Sequence, residues 1–248
     1  LGVNLLKIIF KKLMFIPIAS FIVSSLAFLV VNVTPGDPVE VIAGGIASEE
    51  TKNEIRAELG LDKNLSERYL SYLNDLSEGS LGSSFYTKVP VLESINQYLF
   101  DTFELIIMSL IIALLLGFIF GSLGAYFRGK FPDKISNLIL SVIQAVPDFF
   151  LGLLLIYFLF FKLQLVPAPV GRLGLLDLPP EEVTGGLLID SIIAGNWDTF
   201  KIGLKHAILP SITLGIFYSS YFGRTTRNVL GHALNSNQVE FAKALGLS

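Results

Sequence analysis

Apolar positions along this chain gather into long runs without charge, separated by polar stretches marked by proline and glycine. Leu13 to Gly36 carries no charged side chain, and at about 1.5 Å of rise per residue its Leu13–Val33 portion crosses a hydrocarbon core of roughly 30 Å. The run exceeds the roughly 7–15 residues of a secretory signal core, and no small-x-small cleavage site follows it, so it predicts a retained membrane helix. Leu105 to Phe127 is equally clean, bounded by Glu104 and Arg128. Ile135 to Phe161 is interrupted only by Pro147-Asp148, which predicts a kinked third span. Ala207 to Gly223 is shorter and is expected to extend in both directions into a fourth.

The intervening segments have patterns of their own. Ser48-Glu49-Glu50 followed by Ile55 and Leu59, and then Leu65 to Leu76 with Tyr69 and Tyr72, predict two amphipathic helices separated by Gly60-Leu61-Asp62. Thr34-Pro35-Gly36-Asp37-Pro38 predicts a turn ending the first span, and Gly79 to Ser84 breaks the second amphipathic helix. Pro167, Pro169, Pro179 and Pro180 predict a loop with one short helix near Leu187–Ala194. Beyond Arg224 and Arg227, apolar Val229, Leu230, Ala233 and Leu234, then Val239, Phe241, Ala242, Leu245 and Leu247, read as a pair of amphipathic helices. A partner protein suits this pair better than the inner leaflet, because its polar face is poor in Lys and Arg.

Composition agrees with a membrane protein: 52% hydrophobic, 16% charged, mean hydropathy +0.65. The net charge of −3 gives no basic field for nucleic acid. With no cysteine and only His206 and His232, neither a metal site nor a catalytic centre is expected, and no cofactor is implied. Basic residues favour the cytoplasmic side. Lys7, Lys11 and Lys12 therefore predict a cytoplasmic N-terminus, and Arg128, Lys130 and Lys134 against Asp133 place the next inner loop. Residues 34–104 hold 13 acidic and five basic side chains and are assigned outside, as is Lys162–His206. Four divisions follow: 1–12 cytoplasmic, 13–33 first span, 34–104 exterior helical segment, and 105–248 a membrane core ending in a cytoplasmic segment.

Three features carry candidate chemistry. Gly124 to Phe131 satisfies G-x-x-x-x-G-K, but Phe131 stands where a phosphate loop needs Ser or Thr, and the stretch closes a membrane helix, so nucleotide binding is rejected. Gly117, Gly121 and Gly124 share one helix face and are read as a close-packing surface in preference to a pore lining. Asp148 lies inside an apolar run, where a carboxylate costs about 2.5–3.5 kcal/mol on insertion scales unless partnered. Pro147 and Asp148 are read as a capped, protein-buried kink, with a place on a translocation path as the alternative.

At the C-terminal end, Glu240-Phe241-Ala242-Lys243-Ala244-Leu245-Gly246 resembles the E-A-A-x-x-x-G coupling motif of permeases in the oligopeptide, dipeptide and nickel family of ABC importers, with Phe241 in place of the first alanine. Thr34 to Pro38, Leu59-Gly60-Leu61-Asp62, Gly79 to Ser84 and Ala145-Val146-Pro147-Asp148-Phe149 are similar to the same family, in the same order around the same spans. The resemblance covers essentially the whole chain. It implies an all-α, polytopic type I importer fold in a bacterial or archaeal cytoplasmic membrane. It also implies a second homologous permease subunit, two cytoplasmic ATPases that carry the hydrolysis, and an exterior binding protein delivering peptides, nickel or another small solute. Glu240, Phe241, Ala242 and Gly246 would then contact the ATPase. Such permeases have about six spans and continue past the motif glycine, so two further spans are expected beyond Ser248, and Leu1 in place of Met also suggests a partial chain. The rival reading is a secondary transporter or channel coupled through Asp148; a membrane hydrolase would need His206 and His232 on one side.

Overall fold

The computed structural model describes residues 2–33, 36–43, 47–84, 87–174 and 177–246. Among them the regular elements are helical, with one isolated antiparallel bridge between Ser83 and Pro90, in keeping with the all-α expectation. Three helices are long and apolar enough to cross a membrane, and a sharply bent pair makes up to four. The chain divides into two compact units, Leu1–Ser94 and Ile95–Ser248.

In the first unit, α1 (Gly2–Val33) contains the predicted span and continues through Pro17. Its apolar side chains from Leu13 to Val33 are largely uncovered, as hydrocarbon solvent requires. Thr34 and Pro35 of the predicted turn lie outside the described residues. Pro38, read above as part of that turn, instead opens a short helix, α2 (Pro38–Ala43). Proline suits a first helical position because no partner is needed there for an N–H. Asp37 caps the start by accepting from the Val39 amide at 3.0 Å, and Arg56 clasps the same carboxylate at 2.6 Å. The two amphipathic helices form as predicted: α3 (Glu49–Glu58) is capped by Ser48 and α4 (Leu65–Ser77) by Asn64, whose side chain also pairs with Glu67. The aromatic face of α4 meets α1 within the unit. Tyr69 and Ser25 share a 2.6 Å hydrogen bond, and the Phe28 ring lies 5.2 Å and 5.4 Å from those of Tyr69 and Tyr72.

The second unit is built on two long helices. α5 (Val91–Tyr126) starts well ahead of the predicted Leu105, so residue 104 is interior to a helix. After a turn, α6 (Phe131–Ala145) leads to α7 (Asp148–Leu155), which continues as a π-helical segment over Ile156–Lys162. The break between α6 and α7 is 100°, a corner where a kink was expected. Val146 precedes a proline and is driven into extended backbone (φ −87°, ψ 127°), so the helix cannot carry through. α8 (Leu187–Ile193) is the predicted short helix. α9 (Trp197–Leu234) absorbs both the fourth span and the first member of the expected C-terminal pair, because no breaker intervenes before Asn235-Ser236. α10 (Asn237–Ala244) is therefore the only separate helix of that pair.

α5 and α9 pack through small residues spaced four apart. Ser109, Ala113, Gly117 and Gly121 on α5 are buried, as are Ser211, Gly215, Ser219 and Gly223 on α9. A Cβ at Gly117 would stand 2.6 Å from that of Phe222, and one at Gly121 would stand 2.6 Å from the Gly223 carbonyl oxygen. The backbones approach too closely for any side chain, which is the geometry small-residue faces permit in membranes.

Candidate functional site

The α9–α10 corner is a two-residue turn. Asn235 Nδ2 donates to the Gly231 carbonyl at 2.6 Å and closes α9, while the Ser236 carbonyl accepts from Val239 and Glu240 to open α10. Glu240 sits in the first turn and Lys243 in the last, each complementing the helix dipole. Phe241 and Leu245, four residues apart, share a face and are 67% and 62% exposed, so α10 presents an apolar ridge that none of the described residues covers. Ala242 is half-buried. Gly246 takes a left-handed φ of +76°, and its amide donates to the Lys243 carbonyl at 2.9 Å, which terminates α10 with a glycine C′ turn. Leu247, read above as the last apolar position, lies outside the described residues.

Seven residues before the end of α9, Arg227 reaches the first turn of α6. Its Nε donates to Asp133 Oδ1 at 2.7 Å and its Nη2 to Oδ2 at 3.1 Å, while the Gly129 amide also donates to Oδ2 at 2.9 Å. The Asp133 side chain is only 8% exposed, and this two-pronged ion pair has the planar fork geometry of a strong charge-assisted contact. Gly124 makes room for it: a Cβ there would be 2.9 Å from Arg227 Cδ. Beside the pair, Asn137, Ser141, Arg224, Arg227 and Asn228 line an open polar cleft of about 330 Å³, in which Arg224 donates to Ser141 Oγ at 3.2 Å.

The predicted candidates are thus only partly assembled. Gly124 joins the Asp133–Arg227 pair, and Gly117 and Gly121 lie further along the same face. Pro147 and Asp148 sit at the other end of α6, about 20 Å from Asp133 along the helix axis. Asp148 is exposed, contrary to the protein-buried kink expected for it. Its Oδ1 accepts from the Phe149 amide at 2.7 Å, but the N-cap position itself belongs to Pro147, because α7 already begins at Asp148.

Other contacts join residues far apart in sequence. Arg172 forms ion pairs with both Asp101 and Glu104 of α5. The same carboxylates accept from the first amides of α8, Asp101 from Leu187 at 3.3 Å and Glu104 from Ile189 at 2.9 Å. Neither this knot nor the Asp133–Arg227 pair was anticipated from the sequence. The available signal for the latter was one acid inside an otherwise basic loop.

The chain is similar in sequence to known membrane transport components. Residues 113–248 match the model of the binding-protein-dependent transport system inner membrane component, and residues 5–106 match the model of the N-terminal part of a binding-protein-dependent transport system membrane component. A probable D,D-dipeptide transport system permease protein of Escherichia coli strain K12 is 35% identical over 90% of the chain and 65% of its own length. A di/tripeptide transport system permease of Pseudomonas aeruginosa is 34% identical over 92% of the chain and 68% of its own length, and a glutathione transport system permease of Escherichia coli O6:H1 is 30% identical over 98% and 70%. The chain therefore spans roughly two thirds of the length of these relatives, slightly less in the first. With both family models aligned in order along helices that the structure makes long and apolar, this chain belongs to the family of binding-protein-dependent transport system inner membrane components.

Proposed function

We propose that the protein is a membrane-spanning permease subunit of an ATP-driven importer, forming part of the path for peptides or a related small solute. The observation that carries this is the uncovered Phe241–Leu245 ridge on α10, set on a rigid helix by a two-residue turn in a chain of this family. An amphipathic helix with such a ridge suits a groove in a partner protein. In this reading the partner is a cytoplasmic ATPase, two of which serve a pair of homologous permease subunits, and an exterior binding protein supplies the solute. Glu240, Phe241, Ala242 and Gly246 form the ATPase contact, the N-terminus and the Arg128–Lys134 loop face the cytoplasm, residues 34–104 and 162–206 face outward, and lipid covers α1. The peptide assignment rests on the names of the relatives. It is preferred to coupling through Asp148, whose carboxylate is already engaged by the Phe149 amide.

Replacing residues of α10 in the full-length protein tests the reading. Glu240→Lys and Phe241→Asp alter exposed side chains and should leave membrane abundance normal while releasing the ATPase or uncoupling its hydrolysis from uptake. Gly246→Leu should act likewise, with added backbone strain at φ +76°. Normal ATPase copurification and uptake in the two exposed variants would refute the docking role.

A further inference from the structure

Within the second unit, α5 and α9 meet along glycines and serines, so few side chains interlock to resist sliding of one helix along the other. The Asp133–Arg227 pair is different in kind. It is directional, has two donor–acceptor axes from one guanidinium, and is anchored a third time by the Gly129 amide. It also sits at a telling place: α9 is continuous from Arg227 to Leu234, roughly 10 Å along the helix, and α10 follows after two residues. Motion imposed on α10 therefore reaches Arg227 through an unbroken helix, passing only the Arg128 guanidinium of the α5–α6 turn beside Gly231. The α5–α6 turn carries Asp133 at the start of α6, whose other end is the 100° corner into α7.

Resting on the ATPase-docking reading above, we infer that the Asp133–Arg227 clamp, seated over Gly124, is a positioning pair that transmits displacement of α10 to the α5–α6 hairpin and so converts ATPase motion into opening of the path. Close van der Waals packing of the small-residue faces supplies adhesion, whereas the clamp supplies register. Asp133→Asn is nearly isosteric and can still accept from Gly129, so it removes the charge of the pair with little change of shape. Arg227→Lys keeps the charge and removes the fork.

The test uses the full-length permease with its partner subunit, ATPases and binding protein reconstituted in proteoliposomes, measuring solute uptake and ATP hydrolysis in the same vesicles. Asp133→Asn and Arg227→Gln should each retain ATPase binding and at least half the hydrolysis, while solute moved per ATP falls about tenfold. Arg227→Lys should recover part of the ratio lost in Arg227→Gln, since some ionic attraction remains. A merely structural pair would lower uptake and hydrolysis together, in proportion to assembled complex, and that outcome, or an unchanged ratio, overturns the inference. The Phe241→Asp variant run in parallel separates the two claims. If it leaves both ATPase binding and uptake normal, the docking reading fails; if it releases the ATPase or uncouples it while Asp133→Asn keeps a normal ratio, only the clamp fails.

Discussion

Asp190 orders the turn that leads into α8. Its carboxylate accepts from the Thr184 hydroxyl at 2.7 Å and from the amides of Thr184, Gly185 and Val183 at 2.8, 3.0 and 3.2 Å. Burial pushes the carboxyl up, but the Thr184 hydroxyl and these amides outweigh it and hold the pKa below the ordinary 3.8. Because the folded pKa is depressed, the stabilisation is complete above the unfolded value and is lost as pH falls through the lower folded one. Hydrogen exchange should accordingly show the Val183, Thr184 and Gly185 amides protected at neutral pH in the native chain and released in Asp190→Ala, with the native turn opening only in acid. Equal protection in both at neutral pH would rule out this role for the carboxylate. Local capping of this kind was partly readable in advance: Ser48 announces its helix because donor and acceptor lie three residues apart. Arg172 and Glu104 are 68 residues apart, and nothing in the pattern pairs them.

Among the helices, the contact between α5 and α9 sets how closely the membrane core closes. Gly121→Val would place its Cβ 2.6 Å from both the Gly223 carbonyl oxygen and Thr226 Cβ, so a backbone must move. Overpacking of this sort costs about 1–3 kcal/mol, and the thermal midpoint of the purified full-length complex should fall visibly. Gly152→Ala is the control, since its Cβ would meet Thr213 Cγ2 at an ordinary 3.5 Å and should leave the midpoint nearly unchanged. A Gly121→Val midpoint equal to that of Gly152→Ala would contradict the close approach. The glycine face of α5 was visible from its spacing. Its complement on α9 was not singled out, because Ser211, Gly215, Ser219 and Gly223 mix serine with glycine and read as ordinary polar relief in a helix.

For the whole molecule, orientation in the bilayer is the remaining proposal, and the chain suits a cysteine test because it has no native Cys. Ser66 is exposed near the start of α4, so Ser66→Cys should react with an impermeant maleimide added outside intact cells. Reaction only after the cytoplasmic face is opened would reverse the proposed topology. The amino-acid sequence by itself determined the all-α class, the apolar spans, the α3–α4 pair, the short α8 and the position of the proline break. Each of these depends on hydropathy and hydrogen bonding between residues within a few positions of one another, which a linear pattern records. Tertiary structure alone decided that the break is a 100° corner, that Asp148 is exposed, and that Asp133 belongs to Arg227. Those outcomes depend on backbone direction and on which distant surfaces come within about 3 Å of each other, quantities set only when the helices pack.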